Sequence, residues 1–148
     1  MGDSAGLNNY KDFIKQNLEA LFSVLVIPNI SVTEQDLEEY EFEPAQYIKN
    51  DLEESDAETR RRHCMKFVSK LSGFFPNEIG TLISSIMSTM QQEYNADKQN
   101  GWQKMTTLLN LIITASITCY TYQHGATQIN ISIETLENYL QVLVVPEL

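Results

Sequence analysis

The sequence has few cysteines and no long apolar run, and each shortage narrows what the chain can be. Its two cysteines, Cys64 and Cys119, lie in apolar helical patterns and have neither metal-binding nor disulfide spacing. We therefore expect buried, reduced thiols in a cytosolic or nuclear compartment. The most apolar run, Leu108 to Cys119, is interrupted by polar residues and is far shorter than the roughly 20 residues that span a bilayer. The sequence accordingly predicts no membrane segment.

Basic residues are also scarce, with 10 lysines and arginines against 20 aspartates and glutamates in 148 residues. Nucleic-acid binding requires a basic face that reaches several phosphates. The only basic cluster, Arg60 to Arg62, directly follows an acidic segment. We therefore expect no nucleic-acid partner.

The sequence lacks catalytic and metal-binding signatures as well. It contains no nucleotide-binding glycine motif and no nucleophile elbow, and His63 and His124 have no ligand or triad partners at suitable spacing. The acids from Asp51 onward resemble the start of a calcium loop, but the required sixth-position glycine is Asp56 and the twelfth-position glutamate is Arg62. We expect no enzyme, no cofactor and no metal site.

The whole net charge of −10 lies in one segment, from Glu34 to Glu58. This segment holds eleven acidic residues and one lysine, Lys49, whereas the nine acids and nine bases elsewhere cancel. A basic partner would feel the resulting potential over a Debye length of roughly 8 to 10 Å. Hydrophobic residues interleaved with the acids indicate contact with another surface. These residues are Tyr40, Phe42, Tyr47 and Ile48. The alternative is a solvated, charged loop with nothing bound.

Three consecutive arginines, Arg60, Arg61 and Arg62, follow this segment in the first turns of a predicted helix. Positive charge there opposes the helix dipole, so something should compensate it. Either nearby acids form a local network that holds the segment against its helix, or the arginines face an external partner. The acids expected in such a network are Asp51, Glu53, Glu54, Asp56 and Glu58.

Apolar residues at spacings of three and four predict five amphipathic helices. They cover approximately residues 10–26, 55–72, 77–94, 102–123 and 132–145. Pro28 is expected to stop the first helix, Gly125 to cap the fourth and Ser132 to begin the fifth. Residues 1–9 are expected to be a disordered or added start.

The run Val24 to Pro28 returns as Val142 to Pro146, which is 118 positions later. This offset fits two repeats of about 44 residues plus an insert of about 30, and HEAT-like helix pairs have such a period. We therefore predict an all-α fold over residues 10–148. It is an α-solenoid of about two and a half antiparallel HEAT helix pairs, with a long acidic insert at 27–54 between the helices of the first pair. A complete five-helix bundle is the alternative, and self-association through exposed solenoid ends is possible.

Several short motifs around and beyond the acidic segment occur together in a recognisable order. Those around it are Tyr47-Ile48, Asp51-Leu52-Glu53, Ser55-Asp56 and Thr59-Arg60-Arg61-Arg62. Others are Ile27-Pro28-Asn29-Ile30, Gln92-Glu93-Tyr94, Asn100-Gly101-Trp102, His124-Gly125-Ala126-Thr127-Gln128 and Val145-Pro146-Glu147-Leu148. In this order they resemble the importin-α re-export receptors, also called cellular apoptosis susceptibility proteins. These receptors are exportins of the importin-β, or karyopherin, superfamily.

The resemblance implies a central HEAT-repeat fragment of a receptor that carries importin-α out of the nucleus with Ran-GTP. It also implies an insert that contacts Ran and importin-α, and shuttling between nucleus and cytoplasm. Gln46, Lys49-Asn50 and Glu54 depart from an acid, two arginines and a glycine in the family pattern. The alternative is a HEAT scaffold for protein interaction without nucleotide dependence. The candidate partner-binding residues are Glu38, Glu39, Tyr40, Glu41, Phe42, Glu43, Tyr47, Lys49, Asp51, Glu53, Asp56, Arg60, Arg61 and Arg62.

Overall fold

The computed structural model of the chain describes residues 4–52, 60–121 and 125–148. At 4–5, 7–8, 51–52, 118–121 and 125–129 it describes the backbone alone. Helices α1 (Ser4–Gln16) and α2 (Leu18–Leu21) open the chain. Residues 4–9, which were predicted to be a disordered or added start, are helical in the structure. Gly6 lies within this helix, and a single glycine costs a helix only about 1 kcal/mol relative to alanine.

A π-helical turn precedes each of two prolines. Phe22–Val26 forms the first turn and leads into α3 (Ile27–Ile30), which contains Pro28, while Leu140–Val144 forms the second and leads into Pro146. The predicted helix stop at Pro28 is wrong, because the proline falls in the first turn of α3, where its missing N–H is tolerated. Both copies of the internal sequence repeat thus contain a π-helical turn, which an α-helical turn follows at Pro28 and a 3₁₀ turn follows at Pro146.

Two short helices, α4 (Glu34–Phe42) and α5 (Pro44–Leu52), follow where the sequence predicted an acidic insert. Helix α6 (Arg60–Phe74) comes next, and its first described residue is Arg60 because Ser55 to Thr59 lie outside the described residues. Single residues, Phe75 and Asp97, then link α6 to α7 (Pro76–Ala96) and α7 to α8 (Lys98–Ser116). The side-chain contact between Glu93 and Lys104 shows that α8 runs back along α7.

A β-hairpin replaces the end of the predicted fourth helix. Helix α8 ends at Ser116, and strands β1 (Ile117–Thr121) and β2 (Gly125–Ile129) pair antiparallel, with Ile117 opposite Ile129. The predicted helix to residue 123 and the helix cap at Gly125 are therefore wrong. The segment after Ser116 is rich in β-branched and aromatic residues, which favour a strand once a partner strand is available.

The last helical stretch begins where the sequence predicted it. Ser132 accepts a hydrogen bond from the backbone N–H of Thr135 and caps α9 (Ile133–Tyr139). The chain continues through the π turn Leu140–Val144 into a short 3₁₀ turn, Val145–Glu147.

One hydrophobic core joins α6, α7 and α8 to both ends of the described chain. The first end contributes α2, the π turn Phe22–Val26 and α3, and the second contributes α9 and the π turn Leu140–Val144. The buried residues of this core are Leu18, Phe22, Val26, Ile30, Cys64, Val68, Leu71, Phe75, Ile79, Ile83, Leu108, Leu111, Ile112, Ala115, Tyr139 and Leu143. The stretch from α2 to α3 contributes one buried residue per turn at spacings of four, as an amphipathic helix should. Tyr10 and Phe13 of α1 continue the same apolar pattern but are exposed. The thiol of Cys64 is buried as predicted, and burial raises its pKa.

Candidate functional site

The acidic segment folds into a helical hairpin, here called the acidic hairpin, which consists of α4 and α5. Its first helix begins with a capping box, in which the hydroxyl of Thr33 accepts from the backbone N–H of Asp36 and the Asp36 carboxylate accepts from the Thr33 N–H. The two helices meet through the rings of Tyr40 and Tyr47, whose centroids are 5.7 Å apart in an edge-to-face arrangement.

The outer surface of this hairpin presents acids beside an aromatic ring. Phe42 is 85% exposed, which is unusual for so large an apolar side chain. A shallow cleft of ≈ 220 Å³ lies next to it and is lined partly by Glu39, Glu43 and Tyr47. The exposed candidate residues of the hairpin are Glu38, Glu39, Tyr40, Glu41, Phe42, Glu43 and Lys49. This surface offers negative charge and apolar area together.

Arg60 holds the base of the hairpin to the end of α3. Its guanidinium donates to the carbonyl of Pro28 at 2.6 Å, to the carbonyl of Ser31 at 3.2 Å and to Oδ2 of Asp36 at 3.2 Å. Carbonyls at the end of a helix have no intrahelical partner, so a nearby cation satisfies them. Arg60 thus joins α6, α3 and the acidic hairpin.

Arg61 is buried beneath the hairpin and contacts both of its helices. It is 6% exposed, lies 3.3 Å from Oδ2 of Asp36 on α4 and donates to the Tyr47 hydroxyl on α5 at 3.2 Å. A buried charge is tolerated only where partners replace its lost water. Arg62 adds a further contact, because it donates to the carbonyl of Asn50 at 3.1 Å.

Asp36 is the acid on which these contacts converge. Partial burial is the largest single influence on its pKa and acts to raise it. Hydrogen bonds from the backbone N–H and hydroxyl of Thr33, at 2.7 and 2.8 Å, act in the opposite direction, as do Arg61 and Arg60. Together they outweigh burial and hold the pKa of Asp36 below its ordinary value. The carboxylate is therefore charged at neutral pH.

Sequence reasoning missed Asp36, because it sought partners for the arginines only among acids close to them in the sequence. The described contacts of Arg60 and Arg61 run instead to an acid 24 or 25 positions earlier. The pattern of Thr33 followed by Asp36 three residues later was an available indication of a helix start. Of the acids expected in the network, Glu53, Glu54, Asp56 and Glu58 lie outside the described residues, as does the side chain of Asp51.

The four hydrophobic residues that were expected to contact another surface differ in burial. Tyr47 is half-buried and hydrogen-bonded to Arg61, as an anchor on the rest of the molecule should be. Phe42, Tyr40 and Ile48 are exposed. The structure thus brings Asp36 and Tyr47 together with the arginines and places Tyr40 beside Tyr47. It leaves Phe42 and the candidate acids Glu38, Glu39, Glu41 and Glu43 exposed.

Within the ranges 4–52, 60–121 and 125–148, no cluster of metal-ligating side chains occurs. In the same ranges, no helix is both long and apolar enough to cross a bilayer. His63 lies exposed on α6, and His124 lies outside the described residues.

The chain matches the model of the Cse1 family over residues 5–148. Exportin-2 of Homo sapiens is 32% identical over 124 residues, which cover 82% of this chain and 13% of that protein. Exportin-2 of Dictyostelium discoideum is 33% identical over 87 residues, covering 59% of this chain and 9% of the relative. The importin-alpha re-exporter of Schizosaccharomyces pombe is 26% identical over 132 residues, covering 88% and 14%. The chain therefore spans only a small part of the length of these relatives.

The fold is similar to that of a solved structure, the exportin Cse1 in its cargo-free, cytoplasmic state. The TM-score is 0.83 at 21% identity, and the likeness covers 94% of this chain and 15% of the other. It confirms the predicted α-solenoid of HEAT type and rules against the five-helix bundle. The family match over nearly the whole chain also confirms the resemblance seen in the short motifs. The chain belongs to the Cse1 family of exportins.

Proposed function

We propose that this chain is part of an exportin that carries importin-α out of the nucleus together with Ran-GTP. The receptor releases both after GTP hydrolysis in the cytoplasm and returns, so that it shuttles between the two compartments. The name of the fission-yeast relative supports importin-α as the cargo. The motif resemblance from Tyr47 to Arg62 supports Ran as the second partner. The nucleotide belongs to Ran.

The observation that carries this proposal is the exposed surface of the acidic hairpin. The acids Glu38, Glu39, Glu41 and Glu43 are exposed, as is Phe42, and α4 contains no basic residue that would offset their charge. Glu39, Glu43 and Phe42 line the same shallow cleft. Such a surface steers a basic partner toward itself and offers apolar area for contact once the partner arrives. Asp51, Glu53 and Asp56 stay proposed partner-binding residues on the strength of the motif resemblance alone.

The arginines serve a different purpose in this proposal. Arg60 and Arg61 make their described contacts within the chain, which favours the local network over an external partner for these two residues. They hold the hairpin in place, and the acids meet the partner.

Capture experiments with the full-length receptor test the proposed activity. Immobilised receptor is mixed with Ran in its GTP or GDP form, with and without importin-α. An exportin should capture Ran-GTP and importin-α cooperatively and should capture little of either with Ran-GDP. Equal capture with both nucleotides would favour a HEAT scaffold without nucleotide dependence.

A matched pair of variants tests the role of the hairpin. Glu38→Lys with Glu41→Lys reverses two exposed acids three positions apart on α4, and Glu134→Lys with Glu137→Lys does the same on α9. The first pair should slow association with the basic partner by about tenfold or more at low salt, with a smaller difference at high salt. The second pair should have little effect. Equal slowing by both pairs would contradict a specific role for the hairpin.

A further inference from the structure

The acidic hairpin is attached to the rest of the molecule in an unusual way. None of its described side chains, from Glu34 to Asn50, is buried, and none belongs to the hydrophobic core. The two helices pack on each other through Tyr40 and Tyr47. Apolar burial, which is the main stabilising contribution in folding, therefore contributes little to holding the described part of the hairpin on the solenoid.

Polar contacts from the start of α6 hold the hairpin instead. Arg61 is the one charged side chain among the buried residues that the structure describes. Its guanidinium reaches Asp36 on the first helix of the hairpin and Tyr47 on the second. The planar fork of an arginine can serve two partners in different directions, which the single ammonium of a lysine does poorly.

We propose that Arg61 is the positioning residue of the acidic hairpin, and that the hairpin docks on the solenoid as a separate unit which can leave while the core stays folded. The buried guanidinium contacts both helices of the hairpin. Losing one partner leaves a buried charge that is incompletely compensated, which is strongly unfavourable. Because Arg61 contacts both helices, we expect the hairpin to leave as a whole.

This docking determines where the acids of the proposed partner surface point. The direction in which these acids point matters only if the proposed function holds. Docking of the hairpin does not depend on that function, because it can be measured without any partner. Arg61 reaches the partner surface through Asp36 and Tyr47 and does not form part of it, which explains how a buried residue can influence an exposed one.

Hydrogen exchange of the chain, followed by mass spectrometry, tests the proposal. Arg61→Gln removes the charge, and Arg61→Lys keeps the charge without the fork. Both should accelerate exchange in residues 34–50 by about tenfold or more, while exchange in α7 and α8 stays as in the wild type. Arg62→Lys is the matched control at the next position and should change exchange in the hairpin less than Arg61→Lys. Equal acceleration by the Arg61→Lys and Arg62→Lys variants would overturn the assignment to Arg61.

Tyr47→Phe is a second variant for the case in which the Arg61 variants fold poorly. It retains the ring beside Tyr40 and removes only the hydroxyl that accepts from Arg61. Exchange in residues 34–50 should rise several-fold, and a glutamate-specific protease should cleave in the hairpin sooner than in α9. A parallel rise of exchange in the hairpin, α7 and α8 would overturn the proposal, because the hairpin would then be part of the core. So would unchanged exchange in the hairpin in every variant. These results are separable from those on partner capture, which decide the proposed function.

Discussion

Tyr94 donates its hydroxyl to Oε2 of Glu147 at 2.8 Å and thereby joins the end of α7 to the last turn of the chain. Lys98 donates to the other carboxylate oxygen at 2.6 Å and lies over the Tyr94 ring, 5.4 Å from its centroid. Tyr94 also approaches Gly101 of α8 closely. Two short motifs on either side of the α7–α8 turn thus meet a third motif at residues 145–148. They are Gln92-Glu93-Tyr94, Asn100-Gly101-Trp102 and Val145-Pro146-Glu147-Leu148.

Gly101→Ala should destabilise the chain because Tyr94 occupies the space that a Cβ would need. That Cβ would lie 3.1 Å from Cα and 3.2 Å from Cδ2 of Tyr94. Overpacking costs about 1–3 kcal/mol, whereas replacing glycine by alanine inside a helix gains up to about 1 kcal/mol. Since Cα belongs to the backbone of α7 and cannot move alone, we expect a net loss of about 1 kcal/mol. Urea unfolding followed by circular dichroism measures it.

Gly80→Ala is the control for this substitution. Gly80 also lies inside a helix, but a Cβ at this position would meet no atom within 4 Å. It should stabilise the chain by about 0.5–1 kcal/mol, which is the helix-propensity gain alone. A stabilising effect of the same size at Gly101 would show that α7 and α8 can separate freely there.

Leu111→Ala should lower the free energy of unfolding much more than Ile113→Ala, although the two residues are only two positions apart on α8. Leu111 is fully buried in the core, and Ile113 is 51% exposed on the opposite side of the helix. Truncation of the buried residue should cost about 2–5 kcal/mol, because it removes apolar burial and leaves a cavity. Truncation of the exposed residue should have an effect closer to about 0.5 kcal/mol. Similar losses in unfolding free energy would contradict the burial of α8 described above.

The helices were largely predictable because their apolar residues recur with the helical period, and that period arises from packing on one side only. The β-hairpin was not predictable in the same way. The residues after Ser116 continue an apolar pattern and also have high strand propensity. Whether the segment forms a helix or a strand depends on its pairing with residues 125–129. The pattern within the segment itself contains no information about that partner strand.

The hairpin site was predictable in its location but not in its connections. Concentrated charge identified the acidic segment, and the arginine triplet identified its attachment. The sequence could not indicate that Asp36, and not a nearer acid, meets Arg61, because that contact depends on how α4 folds back toward α6. It also could not separate Tyr47, which docks, from Phe42, which stays exposed.

Thr33→Ala should loosen α4 by removing its N-cap. The hydroxyl of Thr33 accepts from the backbone N–H of Asp36 and donates to its carboxylate, so the substitution affects both the helix start and the docking carboxylate. Loss of an N-cap costs about 0.5–2 kcal/mol. We expect faster hydrogen exchange across α4 and little change in α8. Thr33→Ser retains the capping hydroxyl and should behave nearly as the wild type, and an equal effect of both substitutions would argue against capping as the cause.

Docking of the acidic hairpin should weaken in acid because the pKa of Asp36 lies below its ordinary value in the folded chain. The charged form is favoured by folding, so its contribution is fully present above the unfolded pKa of about 3.9 and is lost as pH falls through the lower folded value. Hydrogen exchange of residues 34–50, corrected for intrinsic rates at each pH, should therefore accelerate below about pH 4. Asp36→Asn should show several-fold faster exchange at pH 7 and a smaller additional acceleration in acid. Asp12→Asn, which changes an exposed acid of α1, should follow the wild type. If the wild type and Asp36→Asn respond to pH in parallel, another group controls the acid sensitivity of the hairpin.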